Sequence, residues 1–281
     1  MEEGRRTFLK SMAAGLAGAG MMAASPALAA EAKQLLVWSC GGLAEAMVPA
    51  HAAYQNKTGV KVSYTGAFAA ALGKSLLGGS GETDVFAGRV LQLAKNLRKG
   101  GKMAYFKPLC FTSYGIVVPK GNPKGITKLE DLAVKGMRVA MAPLASPPGG
   151  DAAMGILKLS KLTDKIMPNV LDKRATCIQR TVQEVIDGNA DAMIVEKRIT
   201  CIPRFTPHLD FIEIPEAFMP PGPLTFTVGV MNSAKDKDMA AAYVDWITSP
   251  EGQDFYVKAG FISAYSEKGL ELTKKLGVYD V

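Results

Sequence analysis

The residues of this chain with the most chemistry to offer are its four cysteines, Cys40, Cys110, Cys177 and Cys201. A thiolate is a nucleophile and a soft-metal ligand, and two thiols in an oxidising compartment join as a disulfide. No two of the four stand as C-x-x-C, so neither zinc-ribbon nor thioredoxin spacing is present. The two histidines are isolated, His51 in a helical stretch and His208 in a Pro-flanked loop. No H-E-x-x-H, Ser–His–Asp or P-loop pattern occurs, and the carboxylates form no recognisable acid–base motif. An enzyme is not indicated. The 14 methionines are scattered, several of them near the N-terminus, and read as core packing.

The first cysteine sits in "VWSCGGLAEAM" (37–47), which reads as a strand running straight into a helix. Val37 and Trp38 end the strand, Gly41 and Gly42 make the turn, and Leu43, Ala46, Met47, Ala50 and Tyr54 recur at helical spacing. Such a turn is a natural seat for an anion, because the first helical N–H groups have no partner inside the helix. Pro49 is expected to kink this helix or end its opening turn. Strands and helices go on alternating: "VKVSYTG" strand, "AAALGKSLLGG" helix, "TDVFAG" strand. After "YGIVVPKGNPKGI" the pattern restarts with "KLEDLAVKG" helix, "RVAMAP" strand and "GGDAAMGILKLS" helix. "TCIQRTVQEVIDG" helix and "ADAMIVEK" strand follow. A Pro-rich return, "IPEAFMPPGP", leads to the strand "LTFTVGVM" and two closing helices. This order predicts an α/β chain whose mostly parallel sheets carry helices on both faces. A second α/β unit is inserted into the first, with two crossings.

Ligands of open α/β sheets lie beyond the carboxyl ends of the strands. The qualifying segments are Cys40-Gly41-Gly42, Thr65 to Ala69, Gly88-Arg89 and Ser146 to Gly150, together with the loop before "QRTVQEV" and the stretch after "MIV". The formal charge is +7, but its lysines and arginines are spread along the chain and aromatics are sparse, so nucleic acid is not an expected partner.

The first thirty residues have the character of a leader. "GRRTFLK" is followed by a short Gly/Ala-rich apolar run and by Ala27-Leu28-Ala29, an A-x-A cleavage pattern. The run is too short and too small-residue-rich for a stable membrane anchor. Arg5-Arg6 followed by Thr7, Phe8, Leu9 and Lys10 resembles the twin-arginine export consensus. That resemblance implies a removable segment 1–29, cleavage near Ala29, the Tat machinery as a partner, and a protein exported already folded.

Five segments in order carry a second resemblance: "ETDVFAG" (82–88), "VVPKGNP" (117–123), "LASPPGGDAA" (144–153), "VIDGNADAMIVEK" (185–197) and "SPEGQDFYVKAGF" (249–261). With them the chain resembles the periplasmic solute-binding proteins of ABC importers, most of all the molybdate/tungstate-binding type. The resemblance implies a two-lobe fold, lobe 1 from 30–112 with 224–281 and lobe 2 from 113–223. A hinge of crossing strands joins them. It also implies a monomer that closes on a small ligand and presents it to an inner-membrane ABC permease.

Carried over residue by residue, the family's oxyanion seat falls on Gly42, on Phe68 and Ala69, on Gly149 and on Glu196, flanked by Cys40, Gly41, Ser146, Gly150, Cys177 and Ile178. Two hydroxyl-bearing turns are thereby lost, and a carboxylate is gained. Glu196 either repels a dianion at the cleft or is turned to solvent or paired with Lys197 or Arg198. Arg89 is either the cation of an anion site or a surface or hinge arginine.

On this fold all four cysteines stand at or near cleft-facing strand ends, and three readings stay open. They are disulfides, most easily Cys177–Cys201 within lobe 2, with Cys40 and Cys110 within or near lobe 1. They are inert buried thiols. Or they form a thiolate site for a soft metal or metal cluster, filled before export. The function expected is therefore capture of a molybdate-like oxyanion or a metal-containing solute. The alternative is an exported metal- or cluster-binding protein for storage or electron transfer, with its cofactor on Cys40, Cys110, Cys177 and Cys201.

Overall fold

A computed structural model describes residues 33–281. The twin-arginine segment and its cleavage site lie outside the described residues.

Strand β1 (Gln34–Cys40) enters a 3-10 turn at Gly41–Leu43 and then helix α1 (Ala44–Thr58). Strand β2 (Lys61–Ala67), helix α2 (Ala69–Gly78), strand β3 (Val85–Arg89), helix α3 (Leu91–Lys99) and strand β4 (Met103–Phe111) follow. The chain crosses at 112–113 into β5 (Tyr114–Pro119), then β6 (Val139–Ala140), α4 (Gly149–Leu159), the single turn α5 (Thr163–Ile166), α6 (Ile178–Ile186), β7 (Ala192–Glu196) and β8 (Leu209–Glu213). It returns through 214–224 to β9 (Thr225–Met231), α7 (Lys237–Ile247), α8 (Pro250–Lys258), β10 (Ile262–Ser263) and α9 (Glu267–Leu276).

Two sheets result, one per lobe. The first runs β10-β4-β9-β3-β1-β2 and the second β6-β7-β5-β8. The two-lobe α/β fold is as expected, but the sheets are mixed rather than mostly parallel. Parallel pairing links β1 to β2, β1 to β3 and β6 to β7. Strand β9 enters the first lobe from the hinge, opposite to β3 and β4, and so pairs antiparallel with both. The two crossings touch, since the Thr112 N–H donates to the Leu224 carbonyl at 2.9 Å.

Side chains alternate across each strand and fill a core on both faces of each sheet. Val85 and Ala87 pack under α1 and α7 with Leu35, Val37, Val228, Tyr243 and Tyr256, while Phe86 faces Leu72, Leu97 and Phe106. In the second lobe Ile116 and Ile194 join Ile156 and Leu157 of α4, and Val117 and Val195 join Val182 and Val185 of α6.

Several local expectations need correction. "KLEDLAVKG" forms only a 3-10 turn, Leu129–Ala133, because Val134 is extended and Gly136 takes a φ of +86°. The strand in "RVAMAP" is two residues long. Three helices close the chain instead of two, and α3, β4 and β8 were not foreseen. Helix α1 runs unbroken through Pro49.

Candidate functional site

The expected ligand-facing helices share a local feature. The 3-10 turn before α1 starts after Cys40, α2 after Phe68, α4 after Pro148 and α6 after Cys177, and none of these four side chains caps the helix it precedes. Asp236, Ser249 and Ser266, by contrast, accept from the backbone at the starts of α7, α8 and α9. Uncapped helix starts leave N–H groups pointing outward. The Gly149 N–H is already spent on the Ser146 carbonyl (3.0 Å), so the free donors of that turn begin at Gly150. Gly150 itself is locked in place, since a Cβ there would stand 2.4 Å from the Pro143 carbonyl oxygen. Ile178 closes over Gly149, its Cδ1 2.8 Å from where a Cβ would lie, so the starts of α4 and α6 adjoin.

Between the lobes lies a buried charge network. Arg89 ends β3 and is 6% exposed; Glu196 ends β7 and is 1% exposed. They form an ion pair across the lobes. The Arg89 Nη2 donates to the Tyr114 hydroxyl (2.7 Å), which donates in turn to Glu196 Oε1 (3.0 Å). Arg89 Nε donates to the Pro223 carbonyl (2.9 Å) in the returning crossing, and its guanidinium lies 5.0 Å from the Phe226 ring centre. Glu196 Oε2 accepts from Arg198 Nε, and Arg198 Nη1 lies 3.6 Å from Glu45 Oε2 in the first turn of α1. Burial alone would raise the Glu196 carboxyl, but Arg89 and Arg198 outweigh it and hold it at about 2. The Tyr114 phenol is raised, first by burial and then by the Glu196 charge.

Two glycines of the first lobe receive Arg198. A Cβ on Gly42 would stand 3.5 Å from its Nη2. A Cβ on Gly260 would stand 2.9 Å from the Arg198 Cα and 2.7 Å from the Cys201 sulfur, and Gly260 has a φ of +85°. Only glycine lets the 3-10 turn Lys197–Cys201 of lobe 2 seat this closely.

Beside Arg89 the cleft widens to about 830 Å³. Its walls are Ala69, Gly73 and Leu77 of α2, Val90 and Leu93 at α3, and Pro147 and Pro148 before α4. Lys74 and Asp151 are its other charged groups. Arg89 Nη1 makes no hydrogen bond within the protein among the described residues, and Arg89 is part of the cavity wall.

The sequence-based candidates therefore fare unevenly. Arg89 and Ala69 line one cleft with Pro148, whereas Gly149 and Gly150 are not part of its wall and Cys177 lines a separate pocket with Arg174 and Arg180. Gly41 adjoins the end of β2, and Gly42 meets Arg198. Phe68, in place of a family hydroxyl, is 68% exposed, and Ser146 is exposed as well. Glu196 is neither a free carboxylate in the cleft nor turned to solvent: of the two expected partners it pairs with Arg198 and not with Lys197, and its other oxygen is spent on Arg89 and Tyr114. Arg89 is not a surface arginine but stands at the hinge, bonded to the Pro223 carbonyl of the returning crossing. Arg198, Tyr114 and Glu45 were missed as site residues. Their only signal was the "EKR" run after β7, since their pairing depends on how the lobes meet.

The four cysteines do not come together. Cys40 and Cys110 are buried in the first lobe, Cys177 is exposed and Cys201 is half-buried against Gly260. All four are free thiols. Cys40 on β1 and Cys110 on β4 are separated by β3 and β9, three strand spacings or roughly 14 Å, well beyond disulfide reach. Burial pushes the Cys40 thiol up to about 11 and raises that of Cys110 well above the usual range. Metal binding needs thiolates, and burial keeps these two protonated. Among the described residues no three His, Cys, Asp or Glu side chains are grouped as a metal site.

No curated protein sequence matches the chain. Its fold does match solved structures. A substrate-binding domain described as that of a molybdenum ABC transporter from Clostridium difficile aligns with TM-score 0.70 at 20% identity, covering 82% of this chain and 98% of the other. The sulfate-binding protein SubI of Mycobacterium tuberculosis aligns with TM-score 0.61 at 19% identity, covering 87% and 91%. A ferric binding protein from Campylobacter jejuni aligns with TM-score 0.61 at 15% identity, covering 85% and 90%. At these identities the likeness is one of fold. Residues 35–262 match the model of one family, and the chain is accordingly a member of the bacterial extracellular solute-binding proteins.

Proposed function

We propose that the chain captures a small anionic solute between its lobes and hands it to an ABC permease. The family carries the transport role. Its structural neighbours include proteins named for molybdenum, sulfate and ferric iron, so the choice of ligand has to come from the cleft. The observation that carries the anion reading is Arg89, buried at a strand end, bridging the lobes, with one guanidinium nitrogen unspent beside the cleft. The uncapped starts of α2 and α4 add backbone donors of the same sign. The lobes are taken as 30–112 with 224–281 and as 113–223, and the molecule acts as a monomer. Closure seats Arg198 between Gly42 and Gly260 and forms the Arg89–Glu196 pair.

Calorimetric titration of the exported protein with molybdate, sulfate, carboxylates and ferric citrate tests this reading. Binding of at least one anion, with compaction in small-angle scattering, is expected; binding of ferric iron and of no anion overturns it. A large side chain in the cleft wall, Pro148→Trp, is expected to weaken that binding at least tenfold.

Export as a folded protein through the Tat machinery to the periplasm is the accompanying proposal, resting on Arg5-Arg6 with Phe8, Leu9 and Lys10. Replacing both arginines with lysine is expected to trap the precursor in the cytoplasm. Undiminished export of that variant would assign it to the general secretory route.

A further inference from the structure

The cleft is larger and more apolar than an inorganic oxyanion requires. The interlobe cavity is about 830 Å³, and Ala69, Gly73, Leu77, Val90, Leu93, Pro147 and Pro148 line it. That size and lining fall in the range of organic-ligand pockets, in which apolar walls surround a few placed polar groups. Phe68, next to Ala69, is an exposed aromatic at the position where hydroxyls were expected.

Charge narrows the class further. Three charged side chains line the cavity: Arg89, Lys74 and Asp151. Glu196 and Tyr114 occupy the inner side of Arg89, leaving Nη1 with no partner among the described residues. Asp151, in the first turn of α4, opposes a second negative charge on a ligand, and Lys74 on α2 offsets it. With the Arg89 charge already met by Glu196 and Lys74 offset by Asp151, the lining accommodates no more than one negative charge, and a single carboxylate hydrogen-bonded at Nη1 fits it.

From this we infer that the interlobe site takes an organic monoanion with an apolar body, a carboxylate at Arg89 and a hydrocarbon or aromatic portion against Leu77, Leu93, Pro147 and Pro148. The inference rests on the anion reading above and specifies its substrate class. No covalent step is involved. The carboxylate replaces water at Nη1 and the apolar body replaces water along α2 and α3, so affinity is expected to grow with buried carbon.

The test is calorimetry on the exported protein with acetate, hexanoate, 3-phenylpropionate, sulfate and molybdate as probes. Affinity is expected to rise at least tenfold from acetate to 3-phenylpropionate, with both inorganic anions weaker than the latter. Leu77→Glu, on the partly exposed face of α2, is expected to lower 3-phenylpropionate affinity at least tenfold. Lys74→Glu is expected to weaken every carboxylate several-fold. The wild-type series stands by itself should either variant fail to fold. Equal affinity for acetate and 3-phenylpropionate overturns the inference. Molybdate or sulfate binding tenfold tighter than every carboxylate also overturns it and leaves the anion reading standing. Absence of binding by all five probes overturns both.

Discussion

Glu196 is the residue on which the two lobes converge, and its removal has a calculable cost. Glu196→Gln leaves Arg89 buried without its counter-charge and Arg198 with only Glu45. A loss of about 3–5 kcal/mol in unfolding free energy is expected, measurable by denaturant titration. The pH dependence has a definite sign. The folded-state carboxyl is held at about 2, below the ordinary value near ~4.3, so its contribution is complete above that value and is lost as pH falls toward 2. His51 acts in a higher window. It is buried beside Tyr64 and bonded through Nε2 to the Tyr243 hydroxyl (2.7 Å), and burial lowers it to about 4. Between ~6.5 and 4 the unfolded chain binds a proton that the folded one does not, so stability falls with pH across that window by about 3 kcal/mol. His51→Gln is expected to flatten the melting temperature between pH 6.5 and 4; an unchanged slope would assign the loss elsewhere.

Among the elements, the helix starts divide into two groups with opposite responses to mutation. Ser249→Ala and Ser266→Ala each remove a cap and are expected to cost about 1 kcal/mol. Phe68→Ser supplies the cap that α2 lacks and is expected to stabilise by up to about 1 kcal/mol, read as a shift of the denaturation midpoint. Most elements were legible because short apolar runs are set off by turn residues, as in β1 and β7. Strand β4 was not, because Pro108 and two register shifts interrupt its alternation. Strand β10, two residues long, exists only through its pairing with β4. The candidate site was legible as strand ends and helix starts. The pairing of Arg89 with Glu196, and the seating of Arg198 between Gly42 and Gly260, were not, since they join segments far apart in the chain through the meeting of two lobes. Loss of the family hydroxyls at Gly42, Phe68 and Ala69, with cysteines nearby, suggested a softer ligand. Burial of Cys40 and Cys110 and the apolar walls of the cleft give that loss a different meaning.

For the whole molecule, the seating of one lobe on the other depends on a glycine outside the proposed ligand cavity. Gly260→Ala drives a methyl against Cys201 and Arg198 at a backbone conformation that alanine adopts with strain. A larger radius of gyration in small-angle scattering and at least tenfold weaker anion binding are expected, with both cores intact by circular dichroism; an unchanged radius would exclude Gly260 as a closure contact. The placement of β9 between β3 and β4 bears on how this protein is made. Until residues 225–231 leave the ribosome, β3 and β4 are two unpaired edges flanking a missing central strand, whereas every strand of the second sheet has already been synthesised. Unpaired edges of that kind invite pairing between chains. The nascent chain therefore carries a finished inner lobe on an unfinished outer one, and the outer lobe closes only when the last fifth of the sequence arrives. A precursor truncated before Thr225 is expected to aggregate through its first lobe even though its second can fold.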